Sequence, residues 1–297
     1  MNSNIQIDFS RSQVYKSKIK KSRIQTVRTI IQAIATFFMS YGVYIFGQSD
    51  GKVLTPVFQC VYVKSRTTDG ICKTLTTISK GMTNRPALIS IVLMIISILV
   101  IGKIWCGYLC PFGFFQDILT IIRKRLKIAP IVIPEKGQPL IKLFKWVLVM
   151  CIVFGIGFCK LCPVKFIMMP ISGSAPGYNL YGVIIAGLTV GICFMKESAF
   201  CQVCPLGALM GLMSRVSGTR IKKKGCACTH CRACMEVCPM GIEDVYQIRN
   251  NPDVTHPDCI FCMKCVEACP EKGALSLTIF GKEVMTSKRG VEKWETE

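Results

Sequence analysis

The sequence predicts an α-helical membrane protein with four transmembrane helices, followed by a small α+β domain that is built around repeated cysteines. Two observations support this fold class. Of the 297 residues, 51% are hydrophobic, and four apolar stretches are long enough to cross a bilayer. Two runs of four cysteines repeat the same spacing near the C-terminus. We therefore divide the chain into a basic leader (1–28), a membrane domain (29–218), a cysteine-rich domain (219–280) and a C-terminal tail (281–297).

The four membrane helices are predicted over residues 29–47, 87–105, 140–158 and 179–195. The third begins with Lys142 and Lys145, which can snorkel to the interface, and the fourth is short enough to require tilt or a locally thinned bilayer. Buried helices of a soluble protein are the alternative, which the number and spacing of the stretches disfavour. We expect no cleavable signal peptide, because the first stretch is long and lacks a small-residue cleavage site.

Basic residues predict how the helices are oriented. With four helices, the N-terminus, the loop between helices two and three, and everything after helix four share one side, which we name side A. Side A carries Arg11, Lys16, Lys18, Lys20, Lys21, Arg23, Arg28, Arg123, Lys124, Arg125, Lys127, Arg215, Arg220, Lys222, Lys223 and Lys224. The positive-inside rule therefore predicts a multi-pass protein of the cytoplasmic membrane, with the N-terminus and the cysteine-rich domain in the cytoplasm. The formal net charge of +20 is concentrated in these segments, so the expected partner is membrane lipid, and no nucleic acid is needed.

The repeated cysteines predict the chemistry of the cysteine-rich domain. Cys-x2-Cys-x2-Cys-x3-Cys-Pro is the spacing of bacterial-type ferredoxins, in which the fourth cysteine of one run binds the [4Fe-4S] cluster of the other run. We therefore expect electron transfer through two [4Fe-4S] clusters, one bound by Cys228, Cys231, Cys234 and Cys269 and the other by Cys259, Cys262, Cys265 and Cys238. Zinc ribbons or disulfides are the alternatives, but zinc sites usually take their four ligands from two short pairs.

Three further cysteine pairs end in Cys-Pro, and each directly follows a predicted membrane helix: Cys106 and Cys110, Cys159 and Cys162, and Cys201 and Cys204. Proline cannot continue a helical hydrogen-bond ladder, but it suits the first turn of a new helix. Each motif is therefore predicted to be a turn at the membrane surface that begins an interfacial helix. After the first motif, Asp117, Arg123 and Lys124 form the polar face of an amphipathic pattern.

The direction of the helices assigns these cysteines to the two membrane faces. Helices two and four end on side A, which predicts a side A quartet of Cys106, Cys110, Cys201 and Cys204. Helix three ends on the opposite face, side B, where a side B quartet would consist of Cys60, Cys72, Cys159 and Cys162. A third and a fourth metal centre at these faces would form a relay across the bilayer. The alternatives are a redox-active or idle dithiol pair on side A and disulfides on side B.

Membrane helices, Cys-Pro motifs after helices two and four, and a C-terminal two-cluster ferredoxin together resemble the NapH/NosR-type membrane ferredoxins. The resemblance implies a polytopic iron-sulfur protein of anaerobic respiration. Such a protein takes electrons from quinol or a cytoplasmic donor and passes them to an extracytoplasmic redox partner. Cys106 and Cys110 match the first family motif, and Cys201 and Cys204 match the second with one intervening residue missing. The motif that ends in Pro163 departs from the nitrate-reductase type.

Other function classes stay open from the sequence. One is an assembly or maintenance factor that reduces a metal centre in a partner enzyme, and another is a cluster-based redox sensor. A transmembrane bis-histidine haem is not expected, because both histidines lie in the cysteine-rich domain. A quinone pocket is an open alternative to an interfacial aromatic belt for Tyr41, Tyr44, Trp105, Tyr108 and Trp146.

Overall fold

The computed structural model describes residues 23–45, 92, 95–129, 138–154, 162–171 and 180–287. Its helices are α1 (Arg23–Ile45), α2 (Ile104–Tyr108), α3 (Pro111–Arg125), α4 (Gln138–Val153), α5 (Pro163–Ile171), α6 (Leu180–Met195), α7 (Ala199–Val203), α8 (Pro205–Ser214), α9 (Ala233–Glu236), α10 (Asp244–Gln247) and α11 (Lys264–Ala268). Its strands are β1 (Thr219–Lys223), β2 (Leu275–Ile279) and β3 (Lys282–Thr286). Both cysteine runs therefore lie in a small α+β part that follows a helical part.

The helical part overlaps all four predicted membrane segments. Helix α1, the helical residues 95–101, α4 and α6 lie within segments one to four in that order, apart from a few residues at the ends. Helix α1 packs against α2 and α3, α6 packs against α3 and α5, and α4 packs against α7 and α8. Among the described ranges, no helix is both long enough and apolar enough to cross a membrane.

All three Cys-Pro motifs begin a helix, as predicted. Helices α3, α5 and α8 start at Pro111, Pro163 and Pro205. Cys110 and Cys204 are the N-cap residues of α3 and α8 and have extended backbone. The cause is local, because a residue before proline is excluded from helical dihedral angles while the proline itself fits the first helical position. The last cysteine of each motif is thereby held at the start of a helix.

Two of the three charged residues that were predicted to form the polar face of α3, Asp117 and Arg123, point into the protein, whereas Lys124 is exposed. Arg123 is only 2% exposed, and its guanidinium donates to the carbonyl oxygen of Met195 at the end of α6. Asp117 forms an ion pair of 2.6 Å with Arg28 of α1. On the opposite face, Ile118 is exposed. Helix α3 therefore uses its charges to join α1 and α6.

Lys145 is also buried, which corrects the prediction that it reaches the membrane interface. The residue is 5% exposed, and its Nζ lies 2.6 Å from Oδ1 of Asp258. A buried ammonium is tolerated where a carboxylate pairs with it. Lys145 therefore joins α4 to the second cysteine run, whereas Lys142 remains exposed.

The α+β part is organised on an antiparallel sheet with the strand order β1-β2-β3. Thr219 pairs with Ile279 and Lys223 pairs with Leu275, while β2 and β3 pair around a bulge next to Leu277. Strand β3 lies in the segment predicted as the C-terminal tail. The core between the sheet and the cysteine runs is formed by Ile221, Ile242, Val245, Val254, Phe261, Met263, Val266, Ala274, Leu275 and Leu277.

Candidate iron-sulfur sites

The two cysteine runs adopt the same unusual backbone conformation. His230 and Arg232 have φ angles of 57° and 60° in the first run, and Phe261 and Met263 have φ angles of 51° and 60° at the equivalent positions of the second. A left-handed conformation costs a residue other than glycine about 1 kcal/mol or more. Because such strain persists only where the surroundings impose it, its repetition favours two loops that wrap the same kind of group.

Cysteines from both runs line a first cavity, which we name the distal cavity. Its walls include Cys228, Cys231, Cys234 and Cys269. Cys231 is exposed, so the distal cavity reaches the protein surface. The structure thus places the fourth cysteine of the second run beside the first three cysteines of the first run.

The reciprocal set lines a second cavity, which we name the proximal cavity because it faces the helical part. Its walls include Cys238, Cys259, Cys262 and Cys265. Cys234 and Val245 line both cavities, so the two are adjacent. This grouping is the one that the predicted exchange of fourth ligands requires.

The surroundings of these sulfur atoms suit thiolates that bind a metal. Burial raises the pKa of Cys259 to about 12 and that of Cys234 to about 11, so the free thiols stay protonated until a metal displaces the proton. The backbone N–H of Phe261 lies 3.4 Å from Sγ of Cys259, and that of Ile242 lies 3.5 Å from Sγ of Cys238. Four cysteines at each cavity fit a [4Fe-4S] cluster, and at the proximal cavity backbone donors also face the sulfur atoms.

The side A quartet is also brought together, at the junction of α2, α3, α7 and α8. The rings of Phe112 and Phe200, one beside each motif, pack edge to face with their centroids 4.6 Å apart. Sγ of Cys106 lies 3.8 Å from Sδ of Met210 in α8. Burial raises the pKa of Cys106 to about 12 and that of Cys110 to about 11, and neighbouring thiols of the quartet add to both shifts.

Gln116 holds the second motif of the quartet, although no sequence motif marks this residue. This buried residue of α3 donates from Nε2 to Sγ of Cys201 at 3.3 Å, and its Oε1 accepts the backbone N–H of Phe200 at 3.1 Å. Burial raises the pKa of Cys201 first, and the thiols of the quartet raise it further, while the hydrogen bond from Gln116 opposes the rise. Gln116 lies one residue before Asp117, on the face of α3 that points into the protein. The amphipathic pattern placed the polar residues of α3 on the outside, so it did not indicate a buried role for Gln116.

The proximal cavity packs directly against the side A quartet. Gly107, between the two cysteines of the first motif, is buried against the carbonyl group of Ile260. Gln202, between the cysteines of the second motif, donates to the carbonyl oxygen of Pro239 at 3.3 Å. Pro239 follows Cys238 in the chain. Both motifs of the quartet therefore contact backbone next to a cysteine of the proximal cavity.

Helix α1 fastens this junction, which was also missed. The side chains of Arg28 and Gln32 both donate to the carbonyl oxygen of Gly107, at 2.9 and 3.0 Å. Gln25 donates to the carbonyl oxygen of Cys262 at 3.0 Å. Their i, i+3, i+7 spacing places the three polar residues on one face of a helix. This spacing in the sequence could have predicted that α1 uses a polar face to contact another part of the protein.

The structure describes only one of the four cysteines that were predicted to form the side B quartet. Cys60, Cys72 and Cys159 lie outside the described residues, and Cys162 directly precedes α5. The cysteines in the described part of the chain are free thiols. Within the same ranges, no three His, Cys, Asp or Glu side chains are arranged to hold one metal ion. Neither cysteine-lined cavity includes the aromatic residues considered for a quinone pocket.

Comparison with protein families gives two matches. Residues 85–129 and 178–224 match a family model described as a 4Fe-4S binding domain, and residues 227–275 match a 4Fe-4S dicluster domain. The first match contains the whole side A quartet, and the second contains all eight cysteines of the two runs. The motif that ends in Pro163 lies outside both matches.

Curated relatives extend over most of the chain. Uncharacterized protein MJ0749 of Methanocaldococcus jannaschii is 31% identical over 199 residues, which are 66% of this chain and 72% of that protein. The chain belongs to the NapH/NosR-type family of iron-sulfur ferredoxin proteins.

Two named relatives illustrate the NapH/NosR-type family. Putative electron transport protein YccM of Escherichia coli is 25% identical over 65% of this chain and 56% of its own length. Ferredoxin-type protein NapH of Haemophilus influenzae is 24% identical over 62% of this chain and 66% of its own length. No solved structure matches the chain significantly. As a NapH/NosR-type protein, the chain is an iron-sulfur protein of an electron-transport family.

Proposed function

We propose that this NapH/NosR-type protein is a membrane-bound electron-transfer protein. It passes electrons between quinol or a cytoplasmic donor and an extracytoplasmic redox partner. The observation that carries the proposal is a continuous series of three cysteine sites. The distal and proximal cavities share Cys234, and the proximal cavity packs on the side A quartet through Gly107 and Gln202.

The eight cysteines of the two runs would hold one [4Fe-4S] cluster in each cavity. Such clusters supply reversible electron storage, at potentials set by hydrogen bonds, net charge and solvent exposure. The protein determines which site a soluble carrier can approach. Cys231 is exposed at the distal cavity, whereas Ile260, Cys262 and Met263 are buried at the proximal cavity. We therefore assign the distal cavity to exchange with a cytoplasmic carrier.

The side A quartet is proposed to hold a third metal centre. Two features support this site: its four thiols are neighbours, and they lie in residues that match a 4Fe-4S binding domain. The hydrocarbon core of a bilayer is about 30 Å thick, so transfer to side B needs a further carrier. We propose either a mobile quinone or a fourth centre at the side B quartet.

The helical part is proposed to lie in the cytoplasmic membrane with side A toward the cytoplasm. Large apolar side chains recur at helical spacing and are exposed, including Ile30, Ile34, Phe37 and Phe38 of α1, Leu143, Phe144, Val147 and Met150 of α4, and Val183, Ile184, Leu188 and Ile192 of α6. Apolar surface of this extent favours contact with lipid. A reporter fused after Glu297 tests the orientation, and an extracytoplasmic signal would overturn it.

Iron and acid-labile sulfide, measured per chain after anaerobic purification, test the metal content. About eight iron atoms would correspond to two clusters and reject an iron-bearing side A quartet. About twelve would support one additional cubane, and about sixteen would support both quartets. A value well below eight would contradict cluster binding at the two cavities.

Turnover tests electron transfer itself. The membrane-embedded protein should oxidise a quinol or a reduced soluble carrier many times over when an artificial acceptor is supplied. A redox sensor would exchange only as many electrons as it has clusters. A burst limited to that amount would reject the proposed function even if the clusters are present.

A further inference from the structure

Two buried lysines lie beside the cysteine sites without a carboxylate partner. Lys103 and Lys223 are 2% and 3% exposed. Neither ammonium has an acidic side chain within 4.0 Å among the described residues. Lys145 differs, because its equally buried ammonium pairs with Asp258. The two lysines therefore lack the direct ion pair that Lys145 has, and Lys103 acts on Asp258 only from beyond that distance.

Lys103 lies between the side A quartet and the proximal cavity. It is the N-cap residue of α2, three positions before Cys106. Its Nζ donates to the carbonyl oxygen of Pro257 at 3.1 Å, two positions before Cys259. Burial raises the pKa values of Cys106 and Cys259, and the charge of Lys103 opposes both shifts. One ammonium thus acts on thiols of two neighbouring sites.

Lys223 occupies the corresponding place at the distal cavity. It extends from β1, lines the cavity and donates from Nζ to the carbonyl oxygens of Val245 and Tyr246 at 2.8 and 2.9 Å. Burial raises the pKa of Cys234, and the charge of Lys223 opposes the shift. Lys103 therefore lies beside the proximal cavity, and Lys223 lies in the wall of the distal cavity.

A buried ammonium that is held only by carbonyl oxygens is costly unless an anion lies nearby. Four thiolates around an iron-sulfur cluster make such a site negative. We propose that Lys103 is the counter-charge of the side A quartet and the proximal cavity, that Lys223 is the counter-charge of the distal cavity, and that each raises the reduction potential of its own site. This inference rests on the proposed function, because it requires bound clusters.

The effect on the potential follows from electrostatics. Reduction adds negative charge to a site that is already negative, and a nearby ammonium stabilises the reduced form. Replacing lysine by glutamine removes the charge and keeps a hydrogen-bond donor. We expect the equilibrium constant for reduction to fall at least about tenfold, which is about 59 mV for a one-electron couple.

The test is a redox titration of the purified, cluster-loaded full-length protein, followed by electron paramagnetic resonance. Lys223→Gln should lower the midpoint potential of the distal cluster and leave the proximal cluster unchanged. Lys103→Gln should lower the midpoint potential of the proximal cluster and leave the distal cluster unchanged. It should also lower the midpoint potential of any centre at the side A quartet. The distal signal is assigned as the one that survives in Cys238→Ala, because Cys238 lines the proximal cavity.

Two controls separate charge from structure. Lys222→Gln removes an exposed lysine next to Lys223 in β1, and it should leave both potentials unchanged. Lys103→Arg and Lys223→Arg retain the positive charge, so their midpoint potentials should lie close to those of the wild type.

The outcomes also separate this inference from the proposed function. Clusters that titrate at wild-type potentials in both glutamine variants would overturn the counter-charge role while leaving electron transfer intact. An equal shift of both clusters in either variant would indicate a general structural change and would also overturn it. Wild-type protein without any cluster signal would reject the proposed function and this inference together.

Discussion

The carbonyl oxygen of Ile260 occupies the space where a side chain at Gly107 would begin: a Cβ on Gly107 would lie under 3.0 Å from it. The first Cys-Pro motif and the second cysteine run therefore meet backbone to backbone. Only glycine permits this approach, although Gly107 lies within a helix and its backbone does not otherwise need glycine.

Gly107→Ala is expected to weaken the junction between the helical part and the proximal cavity. The rigid carbonyl group cannot move aside as a flexible side chain can, so we expect a loss of roughly 1–3 kcal/mol in the free energy of unfolding. Chemical unfolding of the cluster-loaded protein in detergent measures it. Gly187→Ala is the matched control, because apart from the adjacent backbone of its own helix no atom lies within 4 Å of a Cβ at Gly187. Equal stability of the two variants would contradict the backbone contact.

Gln116→Leu is expected to impair the side A quartet selectively. The change removes the donor to Cys201 and leaves the buried N–H of Phe200 without its acceptor, at a cost of roughly 1–3 kcal/mol. If the quartet holds a cubane, iron should fall from about twelve toward about eight atoms per chain. The signals of the distal and proximal clusters should persist. Gln247→Leu, at an exposed position on α10, should retain all iron; loss of the ferredoxin signals from Gln116→Leu would argue against a local role.

Cys238→Ala is expected to remove the cluster of the proximal cavity, although Cys238 belongs to the first run. The reason is its place in the cavity wall beside Cys259, Cys262 and Cys265. Resonance spectra and iron content of anaerobically purified protein measure the loss, which should be about four iron atoms. Cys226→Ala is the control, since this exposed cysteine lines neither cavity. Loss confined to the distal cluster would refute the exchange of fourth ligands.

Glu197→Gln is expected to destabilise the junction by roughly 2–3 kcal/mol at neutral pH. Burial raises the pKa of Glu197, but the ammonium groups of Lys264 and Lys124 outweigh burial and lower it from 4.5 to about 2. Because the pKa of Glu197 is lower in the folded protein than its ordinary value of 4.5, the ionised carboxylate stabilises the fold at pH values above 4.5. This stabilisation is lost as the pH falls from 4.5 toward 2.

The difference in stability between Glu197→Gln and the wild type should therefore be the same at pH 7.5 and pH 5.5. Unfolding in detergent at these two pH values measures it. Lys124→Gln, which removes the most exposed of the cations around Glu197, should have a smaller effect. A clear decrease of the Glu197→Gln difference at pH 5.5 would contradict the depressed pKa.

Features set by local rules were predictable from the sequence. The helix starts at Pro111, Pro163 and Pro205 follow from the geometry of proline. The cysteine runs have a spacing that few other sites share. Both kinds of signal lie within about a dozen residues and need no knowledge of distant parts of the chain.

Features set by distant partners were not predictable. The amphipathic pattern of α3 showed two faces, but it could not show that the polar one would meet Arg28, 89 residues away. Lys145 resembled an interfacial lysine because its partner, Asp258, lies 113 residues further along. Gln116 carries no motif at all, and its role depends on the fold that brings Cys201 to it.

The bond from Gln25 to the carbonyl oxygen of Cys262 spans 237 residues, and it bears on how the protein is made. During synthesis, α1 with Gln25, Arg28 and Gln32 is made before its hydrogen-bond acceptors. The acceptor of Arg28 and Gln32, at Gly107, is made next, and the acceptor of Gln25, at Cys262, is made much later. Closing so long a loop is entropically slow. A chain that stops before the second cysteine run lacks the acceptor of Gln25 and cannot form this contact. The contact between α1 and the second cysteine run therefore forms only after nearly the whole described part of the chain has been synthesised.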